Sequence, residues 1–331
     1  MKKLFVIIFL SCAIASNAQD VIMPPAIDIG EYNERSKVPT DFRKNGNMML
    51  VHGSLYQSNM EKLDTVLLRV QYDVRYRETE KGDLLKDVEA LNIGKTMSEY
   101  HENITQYAVQ HIPDSLKKPV RSEADIYLRG SASQMIQEQY RNTNYTIQKN
   151  YPEKGMMRCY YYLEFEHFHT NRAMVNPNIY YEEPIPQFSW ELAEEDTIIC
   201  GYACQGAMTS FRGRTWKVWY APELPYQDGP WKLCGLPGLI MKAEDREGDF
   251  CFEAVEILKP AGEYIVVHPT YEQYAKVTFK RAHELTNLRY KNPQSLLRLM
   301  VSEQTIKMLE SRGQKIVIPR PVVPCLLEKY E

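Results

Sequence analysis

Apolar and polar residues alternate along several stretches of the chain, and the cleanest alternation covers residues 68–77. The apolar positions are Leu68, Val70, Tyr72, Val74 and Tyr76, each followed by a polar or charged residue. A period of two places alternate side chains on opposite faces, so this segment predicts a β-strand with one buried face. Residues 81–83 then predict a turn, after which residues 86–93 return as a second strand.

A second alternation opens the stretch around which the chain is organised, residues 214–258. Trp216, Val218 and Tyr220 predict a strand that stops at Ala221-Pro222, because proline cannot donate to a strand ladder. Residues 222–238 then contain four prolines and three glycines. Proline fixes φ and extends the residue before it, whereas glycine permits positive φ or close backbone approach. These residues predict a rigid crossing that the apolar anchors Leu236, Leu239 and Ile240 hold in place.

Residues 239–245 and 250–258 predict a β-hairpin. Their joining residues, Asp245-Arg246-Glu247-Gly248, are typical of a type I turn closed by a left-handed glycine. Phe250, Phe252 and Ala254 share one face of the second strand, and the opposite face is also largely apolar. This strand is therefore expected at the centre of a sheet.

The remaining pattern predicts the fold class. Further strands are expected at residues 145–149, 156–169 and 197–200, a helical insertion at about 99–141, and a helical C-terminal part at about 270–310. Strands followed by helices, without β-α-β alternation, argue against a doubly wound fold. The expectation is a single α+β, β-rich domain over residues 19–331. Its curved, mostly antiparallel sheet would have packing helices and resemble the half-barrel of periplasmic lipoprotein carriers.

The N-terminus predicts export. Met1-Lys2-Lys3, the apolar run at residues 4–10 and Ser16-Asn17-Ala18 form a secretory signal peptide, residues 1–18, with cleavage after Ala18. Lipoprotein processing at Cys12 is the alternative. No later stretch has the roughly 18 apolar residues of a membrane helix, so no transmembrane segment is expected after cleavage. The predicted location is the periplasm or the outer membrane.

Charge argues against nucleic acid as a partner. Removal of Lys2 and Lys3 takes the net charge from −3 to −5, whereas nucleic-acid-binding domains are typically basic. The chain also contains no G-x-S-x-G, phosphate-loop or G-x-G-x-x-G motif. These observations give no reason to expect a serine hydrolase or a nucleotide cofactor.

Cysteine residues remain in even number after cleavage, which permits disulfides in an exported protein. The candidates for pairing are Cys200, Cys204, Cys234 and Cys251. On one straight strand Cys200 and Cys204 would lie about 13 Å apart, beyond disulfide reach, unless Gly201 bends the chain. Their spacing is not C-x-x-C, which disfavours a thioredoxin-like role.

Two histidines give the alternative chemistry. His167 and His169 are two residues apart, so on a strand both imidazoles face one side. With Cys159 or a carboxylate they would bind zinc or another divalent metal, the one cofactor considered. The competing interpretation is a pair of polar residues near a strand end, with no cofactor.

Aromatic residues cluster near two arginines. Arg212 and Arg214 lie close in sequence to Trp216, Trp219 and Trp231. Aromatic residues with arginine are typical of recognition surfaces. The competing interpretation is core aromatic residues beside a solvated loop.

Residues 235–240 read Gly-Leu-Pro-Gly-Leu-Ile, the signature of the GLPGLI family of secreted bacteroidetal proteins. Residues 199–205 resemble the family's GYxCQ element, residues 211–220 its FxGRxxxxWY element, and residues 229–232 its GPWK element. The resemblance is strongest over residues 190–258. It implies an exported protein of that lineage and no particular chemistry. The motif residues it singles out are Gly235, Leu236, Pro237, Gly238, Leu239 and Ile240.

These observations predict a non-enzymatic protein of the cell envelope. It would bind a partner protein of the periplasm or the outer membrane, or an apolar or peptide-like ligand. The first alternative is a metal-dependent periplasmic hydrolase that uses His167 and His169. The second is a structural accessory of an outer-membrane transporter.

Overall fold

The computed structural model describes residues 61–102, 145–161, 179–266, 274–300, 304, 307, 311 and 320–329. This part of the chain contains fourteen strands and two longer helices. The strands are β1 Lys62–Thr65, β2 Leu68–Arg77, β3 Leu84–Ile93, β4 Ser98–Glu102, β5 Tyr145–Lys149, β6 Met156–Tyr161, β7 Ile179–Pro184, β8 Glu191–Ile199, β9 Tyr202–Phe211, β10 Arg214–Ala221, β11 Leu239–Asp245, β12 Phe250–Leu258, β13 Tyr264–Val266 and β14 Ala275–Lys276. The helices are α1 Phe279–Lys291 and α2 Pro293–Met300.

Twelve of these strands form one open sheet in the order β14-β7-β6-β5-β4-β3-β2-β12-β11-β10-β9-β8. Every neighbouring pair is antiparallel except β14 and β7. The strands β1 and β13 form a separate two-stranded ribbon. The predicted β-rich α+β class, with a mostly antiparallel sheet, is therefore confirmed.

The large sheet is strongly curved. Arg212, in the β9–β10 turn, places Nη2 2.5 Å from Oε2 of Glu183 in β7. Eight or nine strand spacings separate these elements, which in a flat sheet is roughly 40 Å. The sheet therefore rolls until strands near its two ends approach each other. This confirms the predicted curvature, and the lipoprotein-carrier half-barrel stays a prediction.

Tight turns connect the last strands in the sheet order, β8, β9 and β10. Cys200 and Gly201 join β8 to β9, and Arg212 and Gly213 join β9 to β10, all four with positive φ. Positive φ at both central residues defines the type I′ turn, whose twist suits antiparallel strands. The β11–β12 loop has Gly248 at φ 72° with its N–H donating to Asp245 O, as the sequence predicts.

The core lies inside the roll. It includes buried residues from most strands of the large sheet, from both helices, and from residues 222–238, named the crossing here. Trp231, Leu233 and Leu236 of the crossing are at most 2% exposed. The crossing thus fills the concave side of the sheet and packs as core.

The two helices cover the β7 end of the sheet. Thr278 caps α1, because its hydroxyl accepts a hydrogen bond from the Arg281 N–H. Phe279 packs edge-on against Tyr181 of β7, with 5.4 Å between the ring centroids. Within the described ranges, no helix has both the length and the apolar character needed to cross a membrane.

Several expected boundaries differ from the structure. The helical insertion does not begin at residue 99, because residues 99–102 belong to β4 and pair with β3 and β5. The C-terminal helices occupy residues 279–300 within the expected 270–310, and Ala275–Lys276 form a strand. The patterns did not predict β7 or β9. The expected signal peptide and residues 103–141 of the insertion lie outside the described residues.

Candidate functional site

Backbone hydrogen bonds hold the crossing in one conformation. Leu239 N donates to Leu224 O at 2.9 Å, and Gly235 N donates to Gln227 O at 3.1 Å. The hydroxyl of Tyr72 in β2 donates to Ile240 O at 2.7 Å. The GLPGLI motif is therefore the point where the chain leaves the crossing and enters β11.

The two glycines of the motif are required for different structural reasons. Gly235 has φ 90°, a conformation that side chains with a Cβ rarely adopt. At Gly238 a Cβ would lie 2.7 Å from the carbonyl carbon of Ala221 and closer still to its oxygen. Close backbone approach, one of the two expected reasons, thus accounts for Gly238.

A buried lysine ties the crossing to β5. Lys149 is 2% exposed, and its Nζ forms an ion pair with Asp228 and donates to Gly229 O at 2.8 Å. The hydroxyl of Ser98 in β4 also donates to the Asp228 carboxylate, at 2.5 Å. Both contacts fix the start of the crossing over the centre of the sheet.

A second buried lysine forms a cluster that we name the Lys232 cluster, comprising Lys232, Tyr181, Glu183, Arg212 and Glu328. Lys232 Nζ lies 2.6 Å from the Tyr181 hydroxyl and 2.6 Å from each of the Glu183 and Glu328 carboxylates. Burial alone would lower the pKa of Lys232, but the Glu328 and Glu183 carboxylates hold that pKa above its ordinary value. The lysine is therefore charged, and the cluster joins β7, the crossing and the C-terminal segment.

The predicted aromatic and arginine rim lies in the interior. Arg214 is 2% exposed, and its guanidinium pairs with Asp245 and, at 3.3 Å, with Asp249. Trp216 and Trp231 are fully buried with 5.5 Å between their ring centroids, and Trp219 is 8% exposed. Of the two interpretations, the structure supports core aromatic residues, with Arg214 buried among them and Arg212 half-buried in the β9–β10 turn.

An aromatic row runs through this interior. Tyr100, Phe252, Trp216 and Trp231 follow one another with ring centroids 5.5–6.3 Å apart. The Tyr100 hydroxyl and both indole N–H groups have no hydrogen-bond partner among the described residues. These aromatic residues therefore place one hydroxyl and two N–H groups in an apolar core, and they carry no charge.

Two titratable residues of β4 are perturbed in opposite senses. Burial raises the pKa of Glu99 to about 7, although the Gln148 amide donates to its carboxylate at 2.7 Å. Burial lowers the pKa of His101 to about 4. His101 Nδ1 donates to Glu102 O at 2.6 Å, so its Nε2 accepts from the Asn92 amide at 2.9 Å. The neutral imidazole is thus the form that these contacts stabilise.

All four candidate disulfide cysteines are free thiols in the structure. Cys200 lies in the β8–β9 turn and donates to Ala254 O at 3.2 Å, whereas Cys204 lies in β9 opposite Thr197. Gly201 therefore does bend the chain between them. Burial raises the pKa of the Cys234 thiol to about 11, and Cys251 accepts a hydrogen bond from Arg75. The four thiols have separate neighbours.

The proposed metal ligands His167 and His169 lie outside the described residues. Within the described ranges no group of three or more His, Cys, Asp or Glu side chains has an arrangement that suits a metal ion. Cys159, considered as a third ligand, is buried in β6, where desolvation raises the pKa of its thiol to about 12.

The edge strand β8 of the large sheet is exposed along most of its length. Leu192 and Ile198 of β8 are 73% and 75% exposed, and β9 is its one neighbour among the described strands. Pairing with β9 shifts register between Ala193 and Asp196, so Glu194 and Glu195 form a bulge. This edge presents apolar side chains, carboxylates and unpaired strand backbone together.

The sequence patterns missed the residues that join distant segments. These are Lys149, Glu183 and Glu328. Each lies in a polar context that is typical of solvent exposure, and its partner is far away in the chain. The sequence contained one weak indication of a buried charge: Lys232 follows Trp231 within a crossing that is expected to be rigid and apolar.

Comparison with known proteins gives no family. No family model matches the chain, and no curated protein matches it. Among solved structures it is similar to PNGF-II, with 13% identity and a TM-score of 0.38 over 67% of this chain and 33% of that chain. The match therefore spans about one third of that structure's length.

Two further structures have lower scores. An uncharacterized conserved protein from Thermus thermophilus matches with 9% identity and a TM-score of 0.27, over 70% of this chain and 98% of that one. A DUF1329 family protein from Desulfovibrio piger matches with 7% identity and a TM-score of 0.19, over 69% and 95%. Scores at this level carry no argument about activity.

Proposed function

We propose that this chain is an exported, non-enzymatic protein of the cell envelope, related to the GLPGLI family, that binds an extended segment of a partner protein. The N-terminal pattern of residues 1–18 supports export. The motif at residues 235–240 supports the family, because its glycines have the close packing and positive φ that a rigid signature requires. The proposed place of binding is the free edge of β8.

The observation that carries this proposal is the exposure of β8 on both faces and along its outer edge. Eight of its nine residues are exposed or half-buried, and only Ile199 is buried. A sheet edge of this kind can accept another extended segment, because the added strand satisfies the edge backbone. Leu192 and Ile198 would supply the apolar contacts.

Charge indicates which segment the edge accepts. Glu191, Glu194, Glu195 and Asp196 give β8 four carboxylates, and Lys217 pairs with Glu195. Acidic residues and a bulge are devices that disfavour pairing of an edge with a second copy of itself. A partner strand with alternating Lys or Arg would instead be attracted to it.

Peptide binding tests the proposal. A labelled nine-residue peptide of alternating Val and Lys is titrated into the protein and compared with its Val-Glu counterpart by fluorescence anisotropy. We expect the Lys peptide to bind about tenfold or more tightly, and more weakly as salt rises. Hydrogen exchange should show added protection at residues 191–199.

A charge-changing variant supplies the control. Leu192→Lys with Ile198→Lys should abolish the preference for the Lys peptide. Val255→Lys, at a 44% exposed position of the central strand β12, should retain it. Equal binding of both peptides, or protection that appears away from β8, would contradict the proposal.

A further inference from the structure

Residues 320–329, named the strap here, cross the end of the rolled sheet as an extended segment. Backbone hydrogen bonds join it to several elements of the body: Val322 N to Tyr290 O, Glu80 N to Val323 O, Cys325 N to Glu78 O and Lys329 N to Arg212 O. Most strap residues are exposed or half-buried, but Glu328 is 7% exposed. A surface segment therefore inserts one carboxylate into the interior.

Four side chains of the body converge on that carboxylate. Lys232 Nζ lies 2.6 Å from Oε1 of Glu328, and Arg212 Nε lies 3.4 Å from Oε2. The hydroxyls of Tyr161 and Tyr181 lie 3.2 and 3.5 Å from Oε1. Two cations and two hydroxyls around one carboxylate form a receptor for an anion.

Contacts within the body keep this receptor organised. Glu183 binds Lys232 at 2.6 Å and Arg212 at 2.5 Å, and the Arg212 guanidinium stacks 3.9 Å from the Phe279 ring centroid. None of these contacts involves the strap. Without Glu328 the two cations would face one carboxylate, which leaves an uncompensated positive charge in a buried site.

We infer that Glu328 occupies a carboxylate-binding site from within the chain, and that the site accepts the glutamate of another polypeptide segment when the strap is displaced. Arg214 adds recognition of the segment's backbone, because its Nη2 donates to Leu326 O at 2.7 Å. The matching segment is therefore one in which Glu follows two apolar residues, with the backbone bend that the strap has at Leu327 and Glu328. This inference concerns a different surface from the β8 edge and does not rest on it.

The experiment uses the full-length variant Glu328→Ala and a labelled peptide with the sequence of residues 320–331, in which serine replaces the cysteine. The control peptide carries Gln at the glutamate that corresponds to Glu328. We expect the Glu peptide to bind the variant about tenfold or more tightly than the Gln peptide, the scale of a charged hydrogen bond. The unaltered protein should bind the Glu peptide more weakly than the variant does, because its own strap fills the site.

Small probes and a second variant keep the inference testable if Glu328→Ala does not fold. In Glu328→Gln, propionate should raise the melting temperature and the neutral propionamide should not. In the double variant Lys232→Met with Glu328→Gln, the positive charge of Arg212 is balanced by the negative charge of Glu183. The double variant should therefore have a higher melting temperature than Glu328→Gln. It should also show no preference between the Glu and Gln peptides. Equal binding of both peptides by Glu328→Ala, or equal stabilisation by propionamide, would overturn the inference.

Discussion

Several charged residues in the interior of this protein form ion pairs, and these pairs connect segments that are far apart in sequence. Lys149 meets Asp228, Lys232 meets Glu183 and Glu328, and Arg214 meets Asp245. Removal of one partner of such a pair typically costs about 3–5 kcal/mol, because the other charge stays buried. The burial of these residues could not be predicted from the sequence, since charged side chains are almost always exposed.

Glu99 and His101 show how burial, as the largest effect, shifts the pKa of single residues. The raised pKa of Glu99 means that the folded protein binds a proton between pH 4.5 and about 7 that the unfolded chain releases. The lowered pKa of His101 has the opposite consequence between about pH 4 and 6.5. As pH rises, Glu99 therefore removes stability and His101 adds it, so the two effects oppose each other in the native protein.

Glu99→Gln should separate the two effects. As pH rises from 4.5 to 7, the free energy of unfolding of this variant should increase relative to the native protein, by up to about 3 kcal/mol. Urea unfolding at a series of pH values measures the difference. His101→Gln is the matched control with the opposite expectation, a loss relative to the native protein between pH 4 and 6.5. A Glu99→Gln difference that stays constant with pH would refute this account.

At the scale of elements, the sequence pattern predicted strand bounds correctly where an alternating segment is flanked by residues that favour turns. The β11–β12 hairpin and the strand Tyr145–Lys149 have the predicted bounds, because each is flanked by glycine or proline turns. The strands β7 and β9 were missed for physical reasons. β9 contains Gly206 and small residues with little β-propensity, and β7 ends in two glutamates and a proline, so both depend on pairing with neighbours.

Two glycines give a prediction at this scale: Gly238 in the crossing, where a Cβ would overlap the backbone, and Gly248 in the β11–β12 loop, which has positive φ. Gly238→Ala should destabilise the protein by about 3 kcal/mol or more, because the added Cβ would overlap the Ala221 carbonyl and force the backbone apart. Gly248→Ala is the control: it has positive φ but open space around its Cβ, so it should cost about 1 kcal/mol. Denaturant unfolding compares the two variants. Equal destabilisation would mean that the close approach at Gly238 is unimportant.

At the scale of the whole molecule, the crossing acts as an interior plug on which the sheet rolls. Lys149 and Lys232 clamp it to β5 and β7, while Trp231 and Leu236 fill the concave side. The sequence predicted the motif residues and the rigidity of the crossing. It could not show that Arg214, Trp216 and Trp231 are interior, because their burial depends on how far a twelve-stranded sheet curls.

The roll of the sheet around the crossing is the central claim, and one distance tests it most directly. Spin labels carried on non-natural amino acids at Pro184 of β7 and Ser210 of β9, both exposed, can be measured by pulsed electron resonance. The contact between Glu183 and Arg212 predicts a label distance below about 25 Å, allowing for the length of the labels. A flat or weakly bent sheet would give about 40 Å, and that result would contradict the account.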